Sequence, residues 1–187
     1  MDRKITLKSR IFPALLTLIL LGGCTGPLAT FGDDRSRGNT IEDNEIILDI
    51  NKRLLSERNR DLFFSVFVDA YEGRVMLTGM VSSEGNKRRA ARLVNGLTNV
   101  RALYNNIKIE KNDNIKTRAN DTWIDAKIRA QLLSKKDIKW LNYRWRVVNG
   151  TVYLLGRTKR SSEKADILRI IRQTSRVRGI IEHIEVR

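Results

Sequence analysis

Two stretches of the chain set apolar residues four apart in the same order: Ile46, Ile50 and Leu54-Leu55, then Ile124, Ile128 and Leu132-Leu133, 78 positions later. This spacing gathers the apolar side chains on one side of a helix and predicts an amphipathic helix at the head of each stretch. An alternating segment follows each helix, Val66, Val68 and Ala70 in the first stretch and Tyr143, Trp145 and Val147 in the second, with the period of a strand. Glu72-Gly73 and Asn149-Gly150 then offer hairpin turns, with second strands expected over 75–80 and 152–157. Gly79 and Gly156 interrupt those strands, where a glycine marks a bend or a close backbone approach. Second helices are expected over 84–97 and 162–174, and last strands over 102–109 and 179–186. Past the first helix the offset becomes 77: Gly73-x-Val75-x-Leu77-x-Gly79 matches Gly150-x-Val152-x-Leu154-x-Gly156, and Val100-Arg101 matches Val177-Arg178. The single-residue difference falls in a connection, as a duplicated fold tolerates. The expected fold class is α+β, with two tandem α-β-β-α-β domains at 40–113 and 114–187, each a three-stranded mixed sheet packed against two helices. At about 70 residues each copy has a thin core, so packing between copies is expected to help.

The chain before the repeat has a different character. Arg3, Lys4, Lys8 and Arg10 precede an apolar run over 11–21, the layout of a secretory signal and too short to span a bilayer. The run ends in Leu21-Gly22-Gly23-Cys24, which resembles the bacterial lipobox. That resemblance implies a lipoprotein signal peptide over 1–23 and lipidation of Cys24, the only cysteine, with more than one acyl chain as stable anchoring requires. The alternative is a cysteine buried behind a core helix. Thr25, where sorting within Gram-negative envelopes reads Asp as a retention signal, implies the outer membrane. Positions 24–39 include Gly26, Pro27, Gly32 and Gly38 and read as a lipidated N-terminus and flexible linker.

Composition narrows the chemistry. One Cys and one His among 187 residues leave no material for a His/Cys metal cage or a Cys/His catalytic pair. No phosphate-cradling glycine loop, nucleophile elbow or paired carboxylates argue for catalysis, so no enzyme, cofactor or metal is expected. The 36 Lys+Arg against 21 Asp+Glu give a formal net charge of +15, which draws the protein to something anionic. The excess is local: 114–187 carries 18 Lys+Arg against 7 Asp+Glu, whereas 40–113 carries 12 against 11. Export removes cytoplasmic nucleic acid as a partner, which leaves a lipid surface or an acidic protein. The plain alternative is that the cations only solubilise a small domain.

The Val-x-Leu-x-Gly strands and the Val-Arg before each last strand resemble the BON domain, a small bacterial module of this element order. With the lipobox, the whole is similar to dual BON-domain outer-membrane lipoproteins. Asn120-Asp121-Thr122-Trp123-Ile124, with Lys127, Arg129 and Gln131-Leu132-Leu133, resembles the start of their second domain. Gln173-Thr174-Ser175 departs from the family where the first copy has Gly96, which leaves the turn before the last strand open. The resemblance implies a non-enzymatic, lipid-anchored protein facing the periplasm that maintains outer-membrane integrity and gathers at the division site. It further implies that the first helix of the second domain contacts anionic phospholipid such as phosphatidylglycerol, with Trp123 at the membrane-facing position.

The residues can be read independently of that resemblance. On a helical wheel Trp123 lies about 140° from the centre of Ile124, Ile128 and Leu132, beside Lys127. The first copy has Glu45 at the matching position, so the fold requires no aromatic there. An outward indole beside cations suits a headgroup layer; packing of Trp123 on the first domain is the alternative. Lys135, Lys136 and Lys139 surround Trp140, which is either a second contact or a loop residue. The candidate phospholipid-binding residues are therefore Trp123, Lys127, Arg129, Lys135, Lys136 and Trp140. Trp145 is expected in the core, Arg144 and Arg146 in solvent, and His183 outward and inert. The rival function is a periplasmic adaptor whose basic domain binds an acidic envelope-assembly or cell-wall-remodelling protein.

Overall fold

The structure is a computed structural model that describes residues 33–110 and 115–187. The signal-peptide reading of 1–23 and the lipidation of Cys24 fall outside these residues. The first copy runs α1 (Arg37–Leu55), a single turn α2 (Arg60–Phe63), β1 (Val66–Tyr71), β2 (Arg74–Val81), α3 (Glu84–Arg92), β3 (Ala102–Asn105) and β4 (Lys108–Ile109). The second runs α4 (Ile115–Leu133), β5 (Tyr143–Val148), β6 (Thr151–Thr158), α5 (Ser161–Gln173) and β7 (Gly179–Val186). In each copy the first two strands form an antiparallel hairpin, and the last strand joins its second strand in parallel. The expected α+β order is thus present twice.

Local sequence explains the departures. Helix α1 starts at Arg37, inside the stretch whose composition reads as linker, because the Ser36 hydroxyl accepts from the Asn39 amide at 3.1 Å and caps it. The last strand of the first copy, expected as one piece over 102–109, is split into β3 and β4, whereas β7 is continuous. The cause lies in β2. Gly79 adopts φ +122°, and a Cβ there would collide with the Ser65 carbonyl. The kinked strand pairs through Leu77 with β3 and from Met80 with β4, skipping the residues between. Gly156 also meets backbone closely, at Asn142 and Tyr143, but without a positive φ, and its strand pairs evenly.

Each hairpin turn is clamped by its first helix. Glu72 and Gly73, like Asn149 and Gly150, take left-handed angles, as a two-residue turn requires. The Asp43 carboxylate accepts the amides of Glu72 and Gly73, each at 2.8 Å, and Asp121 accepts those of Asn149 and Gly150, each at 2.7 Å. Apolar periodicity does not reveal these two aspartates, although their 78-residue offset was a signal of their own.

Alternation along the strands divides the buried residues into three cores. Val66, Val68, Ala70, Val75 and Leu77 face Ile46, Ile50, Leu54, Ala90 and Val94; Val152, Leu154 and Ile184 face Ile124, Ile128, Leu132 and Ile167. The opposite faces of the two sheets pack on one another through Tyr71, Met76, Val148, Tyr153 and Leu155. Layers therefore run helix, sheet, sheet, helix, with all three cores inside one compact unit, Gly32–Arg187.

The contacts between sheets follow a pseudo-two-fold axis. Asp69 pairs with Arg146 at 3.0 Å and Asn106 with His183 at 2.9 Å, each residue meeting its own counterpart 77 positions on. Off the axis, Arg187–Glu72 at 2.8 Å is mirrored by Asn149–Glu110 at 2.9 Å, and Arg74–Glu185 by Lys108–Thr151. This is the geometry of an isologous homodimer joined into one chain. Duplication let the axial positions diverge, since two identical copies would set Asp against Asp or Arg against Arg. Arg144, Arg146 and His183 correct the sequence expectation: the sheet face assumed to meet solvent meets the other copy. Arg146 pairs with Asp69, Arg144 lies 6.0 Å from the Tyr71 ring centre, and His183 stacks on Tyr104 at 3.8 Å.

Candidate functional site

Helix α4 carries the residues singled out for an anionic surface. Its core side is Ile124, Ile128 and Leu132, all fully buried, which fixes the rotation of everything else. Trp123 is half-buried, one side packed on the second core, and the ring is bracketed by cations. Lys127 Nζ lies 5.6 Å and Arg176 Cζ 4.5 Å from its centroid, within cation–π range. The outward direction expected for Trp123 is thus a shared one, part core and part surface.

Arg176 was not anticipated. It takes φ +70°, in the left-handed region that disfavours a long side chain, where the matching Asn99 at φ +63° is better suited. The turn left open by the missing glycine is closed by Thr174, whose hydroxyl donates to the Ile170 carbonyl at 3.0 Å. A strained arginine over a half-buried indole is a stability cost at a surface site. Arg176→Asn is expected to raise stability by up to about 1 kcal/mol in urea unfolding while weakening attachment to anionic vesicles severalfold.

The other candidates divide between two places. Lys135 and Lys136 are exposed at the C-terminal end of α4. Arg129 lies on the flank away from Trp123, paired with Asp125 at 3.3 Å and 5.1 Å from the Trp145 ring centre. Trp140 is half-buried in a 3-10 turn over Trp140–Asn142. Arg129 and Trp140 line a cleft of about 560 Å³ between the copies, with Phe64, Phe67, Trp145 and Arg146. Trp145 packs on the second core as expected, and its indole N–H donates to Asp125 at 2.8 Å. Trp123, Lys127 and Arg176 form one group and Arg129, Trp140 and Trp145 another, on opposite flanks of one helix.

Residues 33–35 cross from one copy to the other. Arg35 pairs with Asp33 at 2.7 Å and with buried Asp43 at 2.9 Å. Its guanidinium loses hydration, yet the two carboxylates hold its pKa above the ordinary value. Asp34 receives Lys139 Nζ at 2.8 Å and Asn142 Nδ2 at 2.9 Å, and its carbonyl accepts from Arg157. Burial pushes the Asp34 carboxyl up, but Lys139 and Asn142 outweigh it and leave the pKa lowered. The chain therefore enters the folded unit beside the Lys139–Trp140 loop. Part of the basic excess also serves cohesion, since Arg157 and Arg187 both pair with Glu72 across the interface.

His183 makes that interface sensitive to acid. Burial depresses its pKa, neighbouring Glu182 opposes the shift, and Arg74 adds to it. A depressed histidine contributes stability that is complete above its unfolded value near 6.5 and is lost as pH falls below it. Asp69, raised chiefly by burial despite Arg146, acts with the opposite sign, its contribution being lost as pH rises from the ordinary carboxylate range through the raised value. The urea midpoint of the protein is expected to fall between pH 6.5 and 5, with a shallower fall in His183→Gln.

Sequence comparison matches the BON domain model at residues 42–111 and 120–187, most of both copies. A protein of Anaplasma centrale from the gshII 5′ region is 31% identical over 79% of this chain and 96% of its own. A 21 kDa hemolysin of Actinobacillus pleuropneumoniae is 24% identical over 82% of this chain and 80% of its own. The outer membrane lipoprotein DolP of Haemophilus influenzae is 22% identical over 97% of this chain and 95% of its own.

Proposed function

The chain belongs to the BON domain family, and on that premise we propose that it is a non-enzymatic, lipid-anchored protein of the bacterial envelope. It docks on anionic phospholipid through α4 of its second copy and, like the outer-membrane lipoprotein it resembles, faces the periplasm and supports outer-membrane integrity, with enrichment at the division site. The observation that carries this reading is Trp123, held half-exposed between Lys127 and Arg176 where the first copy has Glu45. An amphipathic ring flanked by cations, on a helix whose outermost line is Ala119, Ala126 and Leu133, matches a headgroup layer: small apolar residues allow close approach, and the charges attract lipid phosphate.

The entry of the chain supports the same orientation. Nine positions separate Cys24 from Asp33, a span of at most about 30 Å, and Asp34 is held at Lys139. A lipid on Cys24 thereby holds the Lys135, Lys136 and Trp140 end of the second copy close to the bilayer. Two weak attachments on one chain reinforce each other through effective concentration.

Flotation of Thr25–Arg187, which contains every residue of the three cores, with vesicles tests the reading. Attachment to phosphatidylglycerol vesicles, little attachment to phosphatidylcholine vesicles, and release by salt as screening shortens the reach of the charges are the expected results. A protein that stays unbound on both vesicles at low salt overturns it and favours an acidic protein partner instead.

A further inference from the structure

The outer surface of α1 differs from that of α4. Its outermost line is Ile41, Leu48 and Leu55, with 58%, 54% and 55% of their surface exposed. These residues are seven apart, so on a straight helix they drift by only about 20° per step and form one continuous apolar ridge. The second copy has Ala119, Ala126 and Leu133 at the same positions, so the fold does not demand large aliphatics there. Helices lie on the two outer faces of the double sheet, and the α1 ridge therefore points away from α4.

The residues beside the ridge say what covers it. Glu42, Glu45 and Asp49 flank it, with Lys52 near its C-terminal end. An anionic lipid surface would repel that acidic border, and no cationic aromatic group stands beside it as at Trp123. A second helix of the same kind suits it when antiparallel. With Leu48 on a two-fold axis, Ile41 meets the partner's Leu55, and Glu45 lies beside the partner's Lys52. A parallel pairing would place Glu45 and Lys52 on the opposite flank of the seam from their counterparts and make no such pair. We propose that the protein self-associates through α1, ridge to ridge and antiparallel, with a second copy of the same chain.

Three side chains make a small patch beside the roughly 800 Å² per partner of a stable interface, so the dimer is weak and grows with concentration. The inference rests on α1 alone and stands whether or not α4 binds lipid.

Cysteine scanning in Thr25–Arg187, which contains no native thiol, provides the test. Leu48→Cys is expected to form a disulfide-linked dimer under mild oxidation, several times faster than Arg169→Cys on the exposed surface of α5, and faster with rising concentration. Ile41→Cys alone should cross-link no faster than that control, because antiparallel packing sets the two copies of residue 41 about 20 Å apart. Mixing Ile41→Cys with Leu55→Cys should restore cross-linking. In sedimentation velocity, Leu48→Glu should remain monomeric at concentrations where the unmodified protein shifts towards dimer, with an unchanged circular dichroism spectrum. Leu48→Cys cross-linking at the Arg169→Cys rate, equal cross-linking of Ile41→Cys alone, or an unmodified protein as monomeric as Leu48→Glu would each overturn the proposal.

Discussion

Arg74→Ala is expected to destabilise the protein by about 3–5 kcal/mol, the range for removing one partner from a buried charged network. Arg74 begins β2 on the face turned towards the second copy and is only 1% exposed. Its guanidinium donates to the carbonyls of Gly156 at 2.9 Å and His183 at 3.1 Å, and lies 3.4 Å from Glu185. Truncation strands two carbonyls, leaves Glu185 with Arg187 at 2.8 Å as its remaining cation, and opens a void, so hydrogen bonds and packing are lost together. For a chain of this size the loss corresponds to a fall of about 6–20 °C in Tm. Calorimetry would register it, with the greater loss in cohesion between the copies. Arg74→Met, which keeps much of the volume but not the charge, is expected to recover only part. An unchanged Tm would mean that the sheets are not held in the way described.

Trp123→Glu should separate folding from attachment. The substitution installs the residue the first copy carries at Glu45, so the helix and its buried line Ile124, Ile128 and Leu132 are retained, at the cost of the contact that one side of the ring makes with the second core. Losing a large interfacial ring removes about 1.5–2 kcal/mol, and adding a negative charge near an anionic surface removes about 1 kcal/mol more. Partitioning onto phosphatidylglycerol vesicles is therefore expected to weaken roughly 60- to 140-fold. Flotation across a lipid titration measures it. Lys127→Ala should produce a smaller loss that shrinks at high salt, because only an exposed charge is removed.

Much of this fold was legible in the sequence because the duplication repeats each signal. The four-residue spacing around Ile46 and Ile124 located α1 and α4, and alternation located the hairpins. The hidden part was the second face of each sheet. Period-two reasoning assigned one face to the core and left Arg144, Arg146 and His183 in water, as it would for an isolated copy. The contrary signal was the unbroken apolar runs Val75-Met76-Leu77 and Val152-Tyr153-Leu154-Leu155, which belong to strands buried on both sides. At the site, Trp123 and Lys127 stand together as the helical wheel implies. Arg129 points to the cleft instead, since two residues beyond Lys127 is more than half a turn of helix. Arg176 escaped notice because its place over Trp123 depends on a left-handed backbone that only alignment with Asn99 hints at.

The most direct test of docking is the depth of Trp123 in the bilayer. With Trp140 and Trp145 changed to Phe, Trp123 is the only indole left, and its emission can be followed on phosphatidylglycerol vesicles carrying brominated acyl chains. Docking through Trp123 predicts a blue shift and quenching strongest for bromines near the headgroup, absent on phosphatidylcholine vesicles and removed by high salt. Emission that neither shifts nor is quenched while the protein floats with those vesicles would contradict it, because another surface would then be holding the membrane.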